Sequence, residues 1–450
     1  MSKFQKTRMI LKDTKALLVL GLPIVCTMVG NITIGLIDTY VIGQVSSKDL
    51  AGVAAGQVLF MAAVMIGQGL LSGMEPFLAQ AFGEKNHKKL SLVMAQGFWL
   101  AFILSLLVTP CLYFLSDYYQ YLGATKEVTE YTKPYLRVIS FSFPSVVFFS
   151  YLQRCLQAQD RSMAIFFIML LTNILNFLAD YILVHGLYGF APMGAEGVAW
   201  ASFVSRGFAF IMLFGVFAGS KNKNTFFHYL KKIDKTLLLK ATKVGLPVAA
   251  QMTLEVSAFA LATTLAAGIS AVSLAAHHIV LSICSFTFMF PLGISMASSV
   301  KVGQYIGAKD TKRAYLNGWI TIILGILIMS FFAGAFLVFG KELTEAFSKD
   351  PQVTTLAAGL FGLCALFQIF DGIQVIVGGA LRGAANTSYS LCANVIGHFF
   401  IGIPLSIYLC FEKNMGIKGL WIGLASGLMI AASLLLWIWI KRGKTACEKA

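Results

Sequence analysis

The chain is poor in charge. Asp, Glu, Lys and Arg make up 12% of its 450 residues, and acids are the scarcer sign, 20 against 35 Lys and Arg. Hydrophobic residues reach 58% and the mean hydropathy is +0.77. Soluble domains carry about 25% charged residues, so this balance excludes one and indicates an integral membrane protein. The eight cysteines are scattered and form no CxxC, which leaves no disulfide framework and marks them as small core residues. No alternating strand pattern of the barrel type is present. Gly443-Lys444-Thr445 looks like the end of a nucleotide-binding loop, but Ile438 stands where its glycine belongs and no strand precedes it. No His, Cys or Ser cluster beside an acid suggests a membrane-embedded enzyme, so no catalytic residue and no cofactor is expected. Adjacent His277 and His278 point in different directions on a helix, a poor metal site. The first apolar run is too long for a removable signal peptide and lacks a small-residue cleavage site.

What the chain has in abundance is apolar runs long enough to cross ~30 Å of hydrocarbon. They fall near 16–40, 51–82, 92–116, 135–159, 162–187, 196–218, 239–267, 275–300, 315–340, 355–381, 387–411 and 417–440. The expected fold is all-α and polytopic, with twelve transmembrane helices, six per half. Pro23, Pro76, Pro144, Pro247, Pro291 and Pro404 lie inside these runs, where each removes a backbone hydrogen bond and can kink its helix.

The halves are duplicates. Gly21-Leu22-Pro23 returns as Gly245-Leu246-Pro247, and Gln80, Gly83 and Lys85 return as Gln304, Gly307 and Lys309, all at an offset of 224. Gly194-x-x-Gly197 returns as Gly416-x-x-Gly419 at 222. Six helices per repeat make both repeats enter from the same side, so a pseudo-twofold axis along the membrane normal relates them. The expected organisation is an N-lobe at 1–218 (helices 1–6), a linker at 219–238 and a C-lobe at 239–450 (helices 7–12). Such halves usually flank a transport pathway, with the linker as the tether between bundles that rock. Of the 35 Lys and Arg, 26 fall on the side that carries both termini, which places the termini in the cytoplasm and the chain in the plasma membrane, or the inner membrane of a Gram-negative cell. The Lys-rich 221–243 segment belongs to this topology signal, and no nucleic-acid partner is implied.

Acids inside the spans stand out, because a carboxylate in hydrocarbon costs at least ~2.5 kcal/mol. Asp38 and Asp180 fall roughly 30 Å from the side that carries Lys15 and Arg161, at 1.5 Å per residue. Glu255 and Asp371 fall roughly 17 Å from Lys243 and Arg382. This sorts them into two pairs, one per lobe. Asn173, Asn176 and Asp180 follow 3- and 4-residue steps and share a helix face. Gly35 and Gly43 flank Asp38 and allow neighbouring helices to approach it. Carboxylate and amide oxygens can hold a desolvated Na⁺, and two carboxylates together in low dielectric can hold a proton; the residues alone leave both open. Arg206 lies within a helix.

Gly35-Leu36-Ile37-Asp38-Thr39-Tyr40-Val41-Ile42-Gly43 resembles the first-helix motif of multidrug and toxic compound extrusion (MATE) transporters. So does Pro76 through Gly83, with Leu78-Ala79-Gln80-Ala81-Phe82-Gly83 closing helix two. Gly245-Leu246-Pro247-Val248-Ala249-Ala250, leading to Glu255, is similar to the NorM-like branch. Ala275-Ala276-His277, Phe288-Met289-Phe290-Pro291, Lys301-Val302-Gly303 and Ala380-Leu381-Arg382-Gly383 extend the resemblance over essentially 15–440. It implies a twelve-helix, two-lobe fold in the lipid bilayer that exports small cationic, amphipathic drugs in exchange for Na⁺ or H⁺; a monomer is expected. It assigns cation coupling to Asp38, Asn176 and Asp180 in the first lobe and to Glu255 and Asp371 in the second. Either set is a possible Na⁺ site. Phe367 departs from the tyrosine often found one turn before the helix-ten acid of that branch, which weakens a Na⁺ site there. A lipid-linked oligosaccharide flippase, or a dedicated metabolite exporter of the same superfamily, shares the design.

Overall fold

The computed structural model describes residues 3–122, 126–219 and 223–450. Every regular element among them is helical. In order they are α1 (Lys3–Gly43), α2 (Ser47–Ser72), α3 (Glu75–Gly83), α4 (His87–Leu115), α5 (Lys126–Ser140) and α6 (Ser142–Gln157). Then come α7 (Ser162–His185), α8 (Gly194–Ala218), α9 (Lys223–Leu230), α10 (Lys235–Ile269), α11 (Ala271–Gly307) and α12 (Thr311–Phe347). The last are α13 (Pro351–Ala358), α14 (Phe361–Gly383), α15 (Ser388–Asn394), α16 (Ile403–Ile407) and α17 (Gly416–Lys449).

Among the described residues eleven helical spans are long and apolar enough to cross a membrane, and a bent pair, Val128–Ser140 with Ser142–Gln157 at 44°, makes a twelfth if taken as one span. Pro144 accounts for the bend. It has no N–H to return to the Ser140 carbonyl, and its ring crowds that oxygen. Pro23, Pro247 and Pro291 lie inside helices that continue past them. Pro404 sits in α16 between two π-helical stretches, Val395–Gly402 and Tyr408–Glu412, where the hydrogen-bond ladder has already changed register. Gly443-Lys444-Thr445 is part of α17, in helix rather than in a loop.

The duplication is legible in the backbone. Lys85 and Lys309 both adopt a left-handed conformation, with φ of 56° and 60°. Their N–H groups reach Phe82 O at 2.9 Å and Ile306 O at 2.8 Å. One residue on, Asn86 and Asp310 cap α4 and α12 by accepting from the N–H of Lys89 and Arg313. Gly194 and Gly416 open α8 and α17 with φ of 53° and 55°. The next repeated glycines are demanded by space. A Cβ on Gly419 would lie 2.7 Å from the Leu409 carbonyl carbon, and one on Gly197 would lie 3.1 Å from that of Leu183.

The chain forms two compact units. The first is Cys26–Gly245; the second is the chain up to Val25 together with Leu246–Ala450. Lobes divided at 218 and 239 would keep α1 whole and leave all of α10 but its first turn in the C-lobe, whereas these units divide α1 and α10 beside Pro23 and Pro247. The Gly-Leu-Pro glycines explain the division. Within the first unit, a Cβ on Gly245 would lie 2.2 Å from Leu70 O, and one on Gly73 would lie 2.0 Å from Ala241 O, so the front of α10 presses backbone to backbone on the end of α2. Within the second, a Cβ on Gly21 would lie 2.9 Å from Ile294 Cδ1, and one on Gly293 would lie 2.6 Å from Val25 Cγ2. The front of α1 is also tied there by buried Asp13, which accepts from Tyr305 Oη and Arg313 Nε, each at 3.0 Å.

The described part of the 219–238 segment is docked rather than free. Fully buried Gln96 on α4 donates to Lys232 O at 2.9 Å and accepts from Asp234 N–H at 2.8 Å. Trp99 Nε1 donates to Leu230 O at 3.0 Å, and Phe226 packs against Phe98 and Phe217.

Gly245→Val places a branched side chain where backbone oxygen already stands. It is expected to destabilise the detergent-purified protein by about 1–3 kcal/mol or more. Leu246→Val, at a 58% exposed neighbour, is expected to stay within about 0.5 kcal/mol. Thermal melts of the two variants check both.

Candidate functional site

In the first unit α1, α7 and α8 converge on one carboxylate. Asp38, near the end of α1, is 0% exposed, as are Asn176 and Asp180 on α7. Asn176 Nδ2 donates to Asp38 Oδ1 at 3.3 Å, and Ser202 Oγ on α8 donates to Asp38 Oδ2 at 3.1 Å. Asp180 is close enough to Asp38 for the two carboxyl groups to interact side chain to side chain. Glycines make the approach possible. A Cβ on Gly30 would meet Met169 Cγ at 2.9 Å and Asn173 Nδ2 at 3.2 Å, so α1 lies close on α7; one on Gly35 would meet Gln57 Nε2 of α2 at 2.9 Å. Gly43 has looser surroundings, with Leu50 at 3.7 Å from its would-be Cβ.

The site has a surplus of acceptors. Both Asp180 oxygens, Asn176 Oδ1 and Asn173 Oδ1 are buried with no hydrogen-bond partner. An arrangement of carboxylate and amide oxygens without donors fits a positive charge, either a hard cation bound by oxygen or a proton shared between the acids. Among the described residues no group of three or more His, Cys, Asp or Glu could hold a metal ion.

Two further side chains face this centre. Tyr135 on α5 is 0% exposed with an unpartnered hydroxyl, and its charge-sensitive group interacts with Asp38, Asp180 and Arg206. Gly56 makes room for its ring, since a Cβ there would lie 2.5 Å from Tyr135 Cδ1. Arg206, one turn along α8 from Ser202, lays its Cζ 4.7 Å from the Phe60 ring centroid. Ser202 and Tyr135 are ordinary polar residues in apolar runs and carry no signal in sequence. Arg206 carries one, as a cation inside a span, but its partners lie on other helices.

In the second unit the acids are held differently. Glu255 on α10 is half-buried and accepts from Gln374 Nε2 at 3.5 Å, and the same amide donates to Asn394 Oδ1 at 2.7 Å. Asp371, 7% exposed on α14, interacts with Glu255 through charge. Phe367, one turn before Asp371, is packed edge-on against Phe259 at 6.2 Å and Trp421 at 5.7 Å. The aromatic position is therefore core, and no hydroxyl points from it to the acids. His277 and His278 diverge. His277 is buried against Trp421 and hydrogen-bonded to Thr263, while His278 is exposed.

Comparison with known proteins supplies relatives over the whole length. The MatE family model matches residues 23–182 and 247–408, one segment in each repeat. "Probable multidrug resistance protein NorM" of Pasteurella multocida (strain Pm70) is 30% identical over 435 residues, covering 94% of this chain and 93% of that protein. "Multidrug resistance protein MdtK" of Yersinia pestis (strain Pestoides F) is 29% identical over 446 residues, covering 96% and 97%. Among solved structures, the eukaryotic MATE transporter AtDTX14 aligns with a TM-score of 0.81 at 23% identity over 98% of this chain and 99% of that one. An outward-facing MATE transporter of the MOP superfamily aligns at 0.87 and 19% identity, covering 97% of each chain.

Ser202→Ala removes one of the donors to a buried carboxylate. It is expected to cost about 1.5–3 kcal/mol of stability, the range for hydrogen bonds to charged groups. Ser205→Ala, whose hydroxyl donates only to the Ser202 carbonyl at 3.1 Å, is expected to cost about 1 kcal/mol or less. Thermal melts of the two variants side by side test the ranking.

Proposed function

Because the chain belongs to the MATE family, and is thus a membrane transporter and not an enzyme, we propose that it is a cation-coupled antiporter. In this reading it exports cationic, amphipathic drugs in exchange for Na⁺ or H⁺ by alternating access. The observation that carries the proposal is the Asp38–Asp180 pair, two carboxylates with 0% exposure whose surroundings include orphaned acceptor oxygens. A group so costly to bury is reserved for a positive charge that comes and goes. The names of the NorM and MdtK relatives support drugs as the exported class.

The residues divide the work as follows. Asp38 and Asp180 take the coupling cation; Asn176 and Ser202 fix the orientation of Asp38, and Asn176 Oδ1 is available as a further ligand. Glu255 and Asp371 form a second acidic site that can take a cation or the charged group of a drug. A cationic drug that binds near an acid gains attraction and lowers the acid's hold on the coupling ion, which is the exchange that antiport requires. An anionic, lipid-linked substrate would call for basic residues. The two polar centres hold four carboxylates and a single arginine, which favours cations. The proposed orientation has both termini in the cytoplasm, supported by the 26 Lys and Arg on the side of the termini.

Ethidium efflux from loaded proteoliposomes tests the proposal. Wild-type protein is expected to export the dye when an inward Na⁺ or H⁺ gradient is imposed, and Asp38→Asn is expected to lose at least tenfold in rate under either gradient. No efflux from wild type under both gradients would overturn multidrug export. Topology has its own check. Green fluorescent protein fused after Ala450 is expected to fluoresce and alkaline phosphatase fused there to be inactive; the reverse result would put the termini outside.

A further inference from the structure

Arg206 is the one charged group of the first site without a role in this exchange. It sits near the middle of α8, where a cation costs about 2.5 kcal/mol or more unless compensated. Packing does not require it. At the repeat offset of 222 its counterpart on α17 is Leu428, an apolar side chain with 0% exposure. Arg206 Nη1 is buried and has no hydrogen-bond partner, and the guanidinium rests on the face of Phe60. The charges it acts on are Asp38, Asp180 and, when ionised, Tyr135. Asp180 on α7, the helix packed along α8, has two carboxylate oxygens that are buried without donors. An orphaned cationic donor and two orphaned anionic acceptors thus lie within one unit, on neighbouring helices.

We propose that Arg206 is the resident counter-cation of the Asp38–Asp180 site. It is a positioning residue that holds the pair at one net negative charge, so that a single monovalent cation completes it. The proposal rests on the reading of the pair as the coupling site. Two carboxylates and one guanidinium sum to one negative charge; without the guanidinium the sum is two. Phe60 lies under the guanidinium and Nη1 makes no hydrogen bond, so Arg206 offsets charge without occupying the oxygens that the coupling ion needs. Lysine at this position keeps the charge but loses the flat contact with the ring.

Two measurements on the full chain test this. The first is a double-mutant cycle in thermal midpoint, which involves no transport, on wild type, Arg206→Gln, Asp180→Asn and the double variant. The double variant has the same net charge as wild type, so it is expected to recover at least half of the loss caused by Arg206→Gln; additive losses would overturn the proposal. If Arg206→Gln does not fold, a folded double variant supports the proposal and an unfolded one sinks it. The second is calorimetric titration of NaCl into purified protein in nanodiscs at fixed pH. Arg206→Gln is expected to bind Na⁺ at least tenfold more tightly than wild type, and Arg206→Lys to stay within about threefold of it. An unchanged Na⁺ affinity in a folded Arg206→Gln protein rejects the counter-cation role. Should wild-type protein fail to export ethidium while the cycle shows coupling, the transport reading falls and the charge pairing stands.

Discussion

A carboxylate that must sit within a membrane-spanning bundle needs donors or a positive charge around it, and the architecture of the first unit follows from that need. Asp38 cannot reach donors on α7 and α8 unless those helices come closer than ordinary side chains allow. Gly30 and Gly35 remove the side chains that would hold α7 and α2 away from α1. Gly56 clears the space into which Tyr135 turns its ring. Asn176 and Ser202 then supply one donor to each carboxylate oxygen. A single acid thus sets the spacing of three helices, and indirectly the small residues along them.

The two repeats share the scaffold but not this chemistry. Left-handed Lys85 and Lys309 and the glycines opening α8 and α17 are kept, because a chain reversal has the same steric requirement in either repeat; both Gly-Leu-Pro glycines are kept where a neighbouring helix comes close, against Leu70 backbone at Gly245 and the Ile294 side chain at Gly21. Charge has no such requirement. At the offset of 224 the counterpart of Asp38 is Ala262, 1% exposed, and at 222 that of Arg206 is Leu428. The second unit carries its acids at other places, on α10 and α14, and surrounds them with the amides of Gln374 and Asn394. Duplication conserved what the backbone dictates and left the polar centres to diverge.

How much of this was legible in sequence depends on whether the governing physics is local. The spans were, because hydrocarbon thickness fixes a minimum apolar length, and among the described residues eleven helical spans with one bent pair match the twelve runs. The bend at Pro144 was, since a missing N–H acts on its own helix. The acids stood out through the cost of burying charge. Ser202 and Tyr135 did not, because a neutral hydroxyl in an apolar run looks like any other, and only folding brings residue 202 to residue 38. The docking of the connecting segment was hidden for the same reason. Gln96 and Trp99 lie some 130 residues before the backbone groups they bind. The division of α1 and α10 was half visible. Gly-Leu-Pro marked the places, but which helix each glycine presses upon is a tertiary fact.

The two acidic centres also differ in what it costs them to be empty. In the first, both oxygens of Asp180 and the amide oxygens of Asn173 and Asn176 are buried without donors, and each unmet acceptor costs about 1–3 kcal/mol. In the second, Gln374 Nε2 donates to Asn394 Oδ1 and Asn394 Nδ2 to Ser390 O, Glu255 is half-buried, and the one orphaned atom among Glu255, Asp371, Gln374 and Asn394 is the neutral Gln374 Oε1. A carrier converts binding into a change of state only through a difference in free energy between loaded and empty forms. Loading therefore changes the energy of the first centre more than that of the second. With Arg206 as the proposed counter-cation the contrast sharpens: it would offset one of two unmet charges permanently and leave the other for an exchanged ion.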